Sequence, residues 1–100
     1  MKHYPKFYEL IQKSDPELYS EITTMYDLVM RPGAIDMKTK LLILLAVDAY
    51  AGSSGVKPIS EVAKKNGASQ EEILESIRIA YSVGANRILH TASSVFADEN

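Results

Sequence analysis

Apolar residues recur along this chain with helical spacing, and the stretch from Asp36 to Gly67 is the one about which the rest is arranged. Its centre is the run Leu41-Leu42-Ile43-Leu44-Leu45-Ala46-Val47. A continuous apolar run rich in Leu and Ala suits a helix buried on nearly all sides better than one with a single apolar stripe. The pattern predicts a helix from an N-cap at Asp36 to about Tyr50 or Ala51. The flexible connection Gly52-Ser53-Ser54-Gly55 follows, and Pro58 is placed to open a short helix with Ile59, Val62 and Ala63 on one face. Gly67 is suited to end that helix in the left-handed conformation.

The flanks read the same way. Tyr4 to Gln12 forms a first helix, with Pro5 in its first turn and Phe7, Leu10 and Ile11 as its apolar face. Ser14-Asp15-Pro16-Glu17 restarts the chain, either through a Ser14/Glu17 capping box or through Asp15 as the cap. The second helix runs from about Pro16 to Met30, with Leu18, Ile22, Met25, Leu28 and Val29 on one side, and Arg31-Pro32-Gly33 ends it. Ser69-Gln70-Glu71-Glu72 is a second capping box, followed by Ile73, Leu74, Ile77, Ala80 and Tyr81 at helical spacing. Ser82-Val83-Gly84 predicts a kink or short break before a last helix, roughly Ala85 to Phe96, and Ala97 to Asn100 is expected to fray. No segment alternates with period two between hairpin turns, so no sheet is expected. The expected fold is all-α: one domain over residues 1–100, a compact bundle of five to six helices.

Composition narrows the chemistry. One hundred residues are enough to bury a core without metals or disulfides. A net charge of -2 with no Lys/Arg-rich run gives no nucleic-acid footprint. The apolar run is far too short to span a membrane, and no apolar h-region follows Met1-Lys2-His3-Tyr4-Pro5, so a cytoplasmic location is expected. The cysteine count is zero, which removes disulfides, thiolate catalysis and Cys-ligated metals together. Two histidines, His3 and His90, are too few for a His-rich metal site, and no metal or cofactor is expected.

The candidate chemistry gathers at the end of the central helix. Asp48 directly follows the apolar run, where a buried carboxylate needs a partner. Lys40 lies two turns earlier and Lys57 across the loop; otherwise Asp48 emerges into solvent or accepts loop N–H groups. His90 reads either as a general base lacking an evident orienting partner or as a helix-surface histidine. Gly52 to Gly55 form a backbone anion nest or a plain flexible turn. Among the tyrosines, Tyr26 and Tyr50 are placed to face a pocket. A pocket, where one exists, is expected to be bounded by Tyr50, Gly52, Ser53, Gly55 and Ile59. The alternative is that the glycines let neighbouring helices or a second subunit close in.

The segments Lys38 to Tyr50 and Ala63 to Ile73, with the loop and Gly-terminated helix between them, carry a resemblance. The chain is similar, over roughly residues 35–96, to the carboxymuconolactone decarboxylase family, which includes the alkylhydroperoxidase D-like proteins. That resemblance implies a helical, commonly oligomeric protein with peroxidase or decarboxylase activity. The redox members carry Cys, two residues, Cys, three residues, His, then Gly eight positions later. Counting back from Gly67 places Ile59 at the histidine, Gly55 and Gly52 at the cysteines, and Lys40 at the relay glutamate, so all four positions depart. Peroxide reduction of this kind needs a thiolate to attack the O–O bond and a second thiol to resolve the sulfenic acid. The expectation is therefore a non-peroxidase, homo-oligomeric binding or accessory module with a possible small-molecule ligand. The alternative is a non-redox, decarboxylase- or lactone-type enzyme acting on a small organic acid near Lys40, Asp48, Lys57 and His90.

Overall fold

A computed structural model describes residues 4–97. Among them are six helices and no strand: α1 (Tyr8–Ser14), α2 (Pro16–Met30), α3 (Met37–Ala51), α4 (Val56–Lys65), α5 (Gln70–Thr91) and α6 (Ser93–Ala97). The all-α expectation holds. The backbone divides between Met37 and Lys38 into two units.

In the first unit, α1 begins later than the apolar pattern indicates. Tyr4 to Phe7 form a lead-in turn, in which the Pro5 carbonyl accepts from the Tyr8 N–H at 3.0 Å. Tyr4 is held instead by its side chain: its hydroxyl donates to the Asp27 carboxylate at 3.0 and 3.1 Å. Its ring meets Tyr26 edge-on at 5.5 Å and stacks on Tyr8 at 5.8 Å. Such ring pairs contribute about 1 kcal/mol each beyond the area they bury. Tyr26 therefore belongs to this aromatic cluster. At the start of α2 the two possible caps are resolved. Ser14 closes α1, and Asp15 caps α2 by accepting from the Leu18 N–H at 3.0 Å. Pro16 at the first helical position fixes that choice, because its locked φ starts the helix there.

The second unit holds the apolar run. Leu41 and Leu45 are buried with Ala63, Ala68 and Ile73, and Leu45 is fully so. Ile43 and Val47 are exposed, at 48% and 57%. The central helix is thus covered on one side within this chain, not on nearly all sides. α4 ends in a Schellman motif: Ala68 N–H donates to Ala63 O and Gly67 N–H to Lys64 O, each at 3.0 Å. Gly67 sits at φ +96°, as that motif requires. α4 opens at Val56, two residues before Pro58, which falls within its first turn, where a missing N–H costs nothing.

Ser69 and Glu72 form both arms of the capping box that opens α5. The Glu72 carboxylate also accepts from Lys38 Nζ at 3.0 Å, tying the first turn of α3 to the first turn of α5. These bonds, first from the Ser69 backbone N–H and then from the Lys38 ammonium, hold the Glu72 carboxyl below its ordinary range. The break expected at Ser82 to Gly84 does not occur. α5 runs unbroken to Thr91, and the chain turns at Ala92 into the short α6. One interior glycine costs about 1 kcal/mol, which does not stop a helix held by tertiary packing. A Cβ on Gly84 would stand 3.8 Å from Tyr50 Cε1, so this glycine lies beside the Tyr50 ring. Ala97, expected to fray, is the last residue of α6; the rest of that expectation, residues 98–100, and His3 fall outside the described residues. Among the described residues no helix is long and apolar enough to cross a membrane.

Candidate functional site

The α3–α4 turn is built around Asp48. Its backbone carbonyl accepts from the Ser53 N–H at 2.9 Å, and Ala49 O accepts from the Gly52 N–H at 3.3 Å. Gly52 takes φ +76°, a left-handed conformation that reverses the chain after α3. Ser53 Oγ then accepts from the Gly55 N–H at 3.2 Å, closing a small turn of the kind serine favours. Gly55 O accepts from the Ile59 N–H at 3.0 Å and begins α4.

The side chains converge on Gly55. A Cβ built there would lie 2.9 Å from Asp48 Oδ2, 3.5 Å from Ile59 Cδ1 and 3.6 Å from Ser53 Oγ. Asp48, Ser53, Gly55 and Ile59 are therefore brought together, with a half-buried carboxylate as their charged member. The two glycines of the loop differ. At Gly52 a Cβ would meet nothing within 4 Å among the described residues, whereas at Gly55 the space is taken by Asp48.

The remaining candidates stand apart from this cluster. Lys40 is half-buried on α3, eight residues before Asp48, or about 12 Å along the helix axis, too far for direct pairing. Lys57 is exposed in the first turn of α4, where its carbonyl accepts from Ser60 Oγ at 2.7 Å. His90 is exposed in the last turn of α5, and its carbonyl accepts from the Ala92 N–H. Tyr50 turns toward α5: the Arg87 guanidinium lies 5.4 Å from its ring centroid. The sequence marks Gly84 only as a helix break and does not mark Arg87 as a site residue, since their pairing with Tyr50 spans more than thirty residues. A lone arginine or glycine on a helix carries no local sign of such a contact.

The arrangement offers a carboxylate and a hydroxyl as hydrogen-bonding groups, with one apolar wall from Ile59. It contains no sulfur nucleophile. A family model described as the carboxymuconolactone decarboxylase family matches residues 16–98, taking in α2 as well as the 35–96 stretch. No curated protein and no solved structure matches the chain significantly.

Proposed function

The chain belongs to the carboxymuconolactone decarboxylase family, and from that premise we propose that it is a non-peroxidase member acting as a homo-oligomeric binding or accessory module. The observation that carries this reading is the turn itself. By the count back from Gly67, Gly52 and Gly55 fall where the resemblance implies the cysteines of the redox members, and the Asp48 carboxylate fills the space beside Gly55. A carboxylate has no sulfenic-acid chemistry, and no thiol exists elsewhere in the chain to supply it. The groups that remain favour a small neutral molecule able to donate a hydrogen bond to Asp48.

The oligomeric part rests on how little apolar surface the chain covers by itself. Exposed large apolar residues occur on α1, α2, α3, α5 and α6, while the buried apolar core is Leu41, Leu45, Ala63, Ala68 and Ile73. Exposed apolar surface of this extent marks contact with another protein surface. Light scattering on micromolar protein tests it: an assembly of two or more chains is expected, and a monomer overturns the oligomeric reading.

A second reading, decarboxylase- or lactone-type chemistry on a small organic acid, draws on the family description. The position of Asp48 works against it, because a carboxylate at the turn repels an anionic substrate. Ultraviolet loss of an added muconolactone-type acid, abolished in Asp48→Asn, would support that reading over the first.

A further inference from the structure

We propose that Asn66 is a self-modification site held closed by the fold: it loses its side-chain amide by ring closure with the Gly67 nitrogen only when the α4–α5 corner opens. The dipeptide Asn66-Gly67 is chemically suited to this reaction. Glycine puts no side chain in the way of the attacking nitrogen and leaves the backbone free to rotate. The Gly67 backbone nitrogen gives its proton to solvent and attacks Asn66 Cγ. A new N–Cγ bond forms, the Cγ–Nδ2 bond breaks, and the amide leaves as ammonia after taking a proton back from water. Water then opens the five-membered imide at either carbonyl, leaving aspartate or isoaspartate at position 66. Water is the only co-reactant, and both residues are exposed to it. Nothing in this step depends on what the α3–α4 turn binds.

In the folded chain both reacting groups are occupied. The Gly67 N–H, the nucleophile, donates to Lys64 O at 3.0 Å. The leaving amide, Asn66 Nδ2, donates to Val62 O at 2.9 Å. Asn66 itself sits at φ -100° and ψ 17°, which turns the Gly67 nitrogen away from the Asn66 side chain, so the ring has no way to close. The Schellman motif fixes that geometry, and its Ala68 N–H to Ala63 O bond joins two buried alanines. Release of Gly67 therefore requires local unfolding of the corner. The rate in the folded protein is then the open-chain rate multiplied by the fraction open. The change runs one way. Isoaspartate lengthens the backbone between positions 66 and 67, which spoils the spacing of the motif. Either product adds a negative charge at the C-terminus of α4, where the helix dipole disfavours it.

The test incubates the full chain at mildly alkaline pH, folded and in guanidinium chloride, and follows the gain of one mass unit. A glutamyl-specific protease at acidic pH separates Asn66, between Glu61 and Glu71, from Asn86, which precedes Arg87 and serves as the internal reference. Electron-transfer fragmentation tells isoaspartate from aspartate. The expected result is modification of Asn66 well ahead of Asn86 in guanidinium, and at least about tenfold slower modification of Asn66 in the folded chain. Ser69→Ala, which leaves residues 66–68 unchanged and removes a cap of the same corner, should react several-fold faster than the parent when folded and equally in guanidinium. Glu72→Gln, which loses the charged tie to Lys38, takes its place should circular dichroism show that Ser69→Ala has lost helicity. Equal rates at Asn66 in the folded and unfolded chain overturn the lock, as does a folded variant no faster than the parent. No modification of Asn66 in guanidinium overturns the site itself.

Discussion

Asp48 and Gly55 meet across the turn that joins α3 to α4: a Cβ on Gly55 would lie 2.9 Å from the carboxylate oxygen Oδ2 of Asp48. Gly55 itself has right-handed dihedrals, φ -81° and ψ -2°. Its backbone therefore places no demand for glycine. The carboxylate does.

This predicts a coupling between the two positions. Replacing glycine by alanine at a compatible φ stabilises by about 0.4–1 kcal/mol through the unfolded state. In the native background the contact with Asp48 cancels or reverses that gain. Gly55→Ala is thus expected to be neutral or destabilising alone and stabilising in an Asp48→Ala background. The coupling should be about 1 kcal/mol in a double-mutant cycle followed by urea unfolding. Additive effects would mean that Asp48 yields freely and does not fill the site.

Glu72 predicts an acid-sensitive tie. Its folded-state carboxyl lies below the ordinary range, chiefly through the Ser69 backbone N–H and then through Lys38. A lowered folded value contributes stability that is present above the unfolded value and is lost as pH falls through the folded one. Stability should therefore drop as pH descends through the ordinary glutamate region, near about 4.3, and below it. Glu72→Gln should make that acid limb shallower, whereas an unchanged limb would remove Glu72 from the account. Ser69→Ala, which deletes the cap hydroxyl, should cost about 1 kcal/mol at neutral pH.

Two glycines should respond oppositely to alanine. Gly67 holds φ +96° inside the Schellman motif, so Gly67→Ala should destabilise by about 1 kcal/mol or more. Gly84 is helical, and a Cβ there makes an ordinary 3.8 Å contact with Tyr50. Gly84→Ala should therefore stabilise the helix by up to about 1 kcal/mol. Thermal unfolding of the two variants decides the sign at each position.

These contrasts indicate which features the sequence makes legible. Asp15, Gly67 and Ser69 act on backbone groups within a few residues, so their chemistry announces the helix ends locally. Gly84 carries the same local warning of a break, yet α5 passes through it, because what decides there is packing beside Tyr50 from a distant helix. The run Leu41 to Val47 signals a buried helix, but composition does not say which of its faces the same chain covers, and Ile43 and Val47 stay open. At the turn after Tyr50 only Asp48, Ser53, Gly55 and Ile59 come together, while Lys40, Lys57 and His90, which the sequence also offers as candidates, stand apart. That Asp48 would occupy the space beside Gly55, and that Tyr50 would turn to Arg87, depended on side-chain directions that spacing does not carry.

The central claim is that the turn at Asp48 and Gly55 carries no thiol-type peroxide chemistry. Metal-free protein incubated with an alkyl hydroperoxide and a dithiol reductant tests it most directly, with peroxide loss followed against a protein-free blank. Loss at the rate of the blank is expected at every protein concentration. Saturable loss that scales with protein concentration would contradict it.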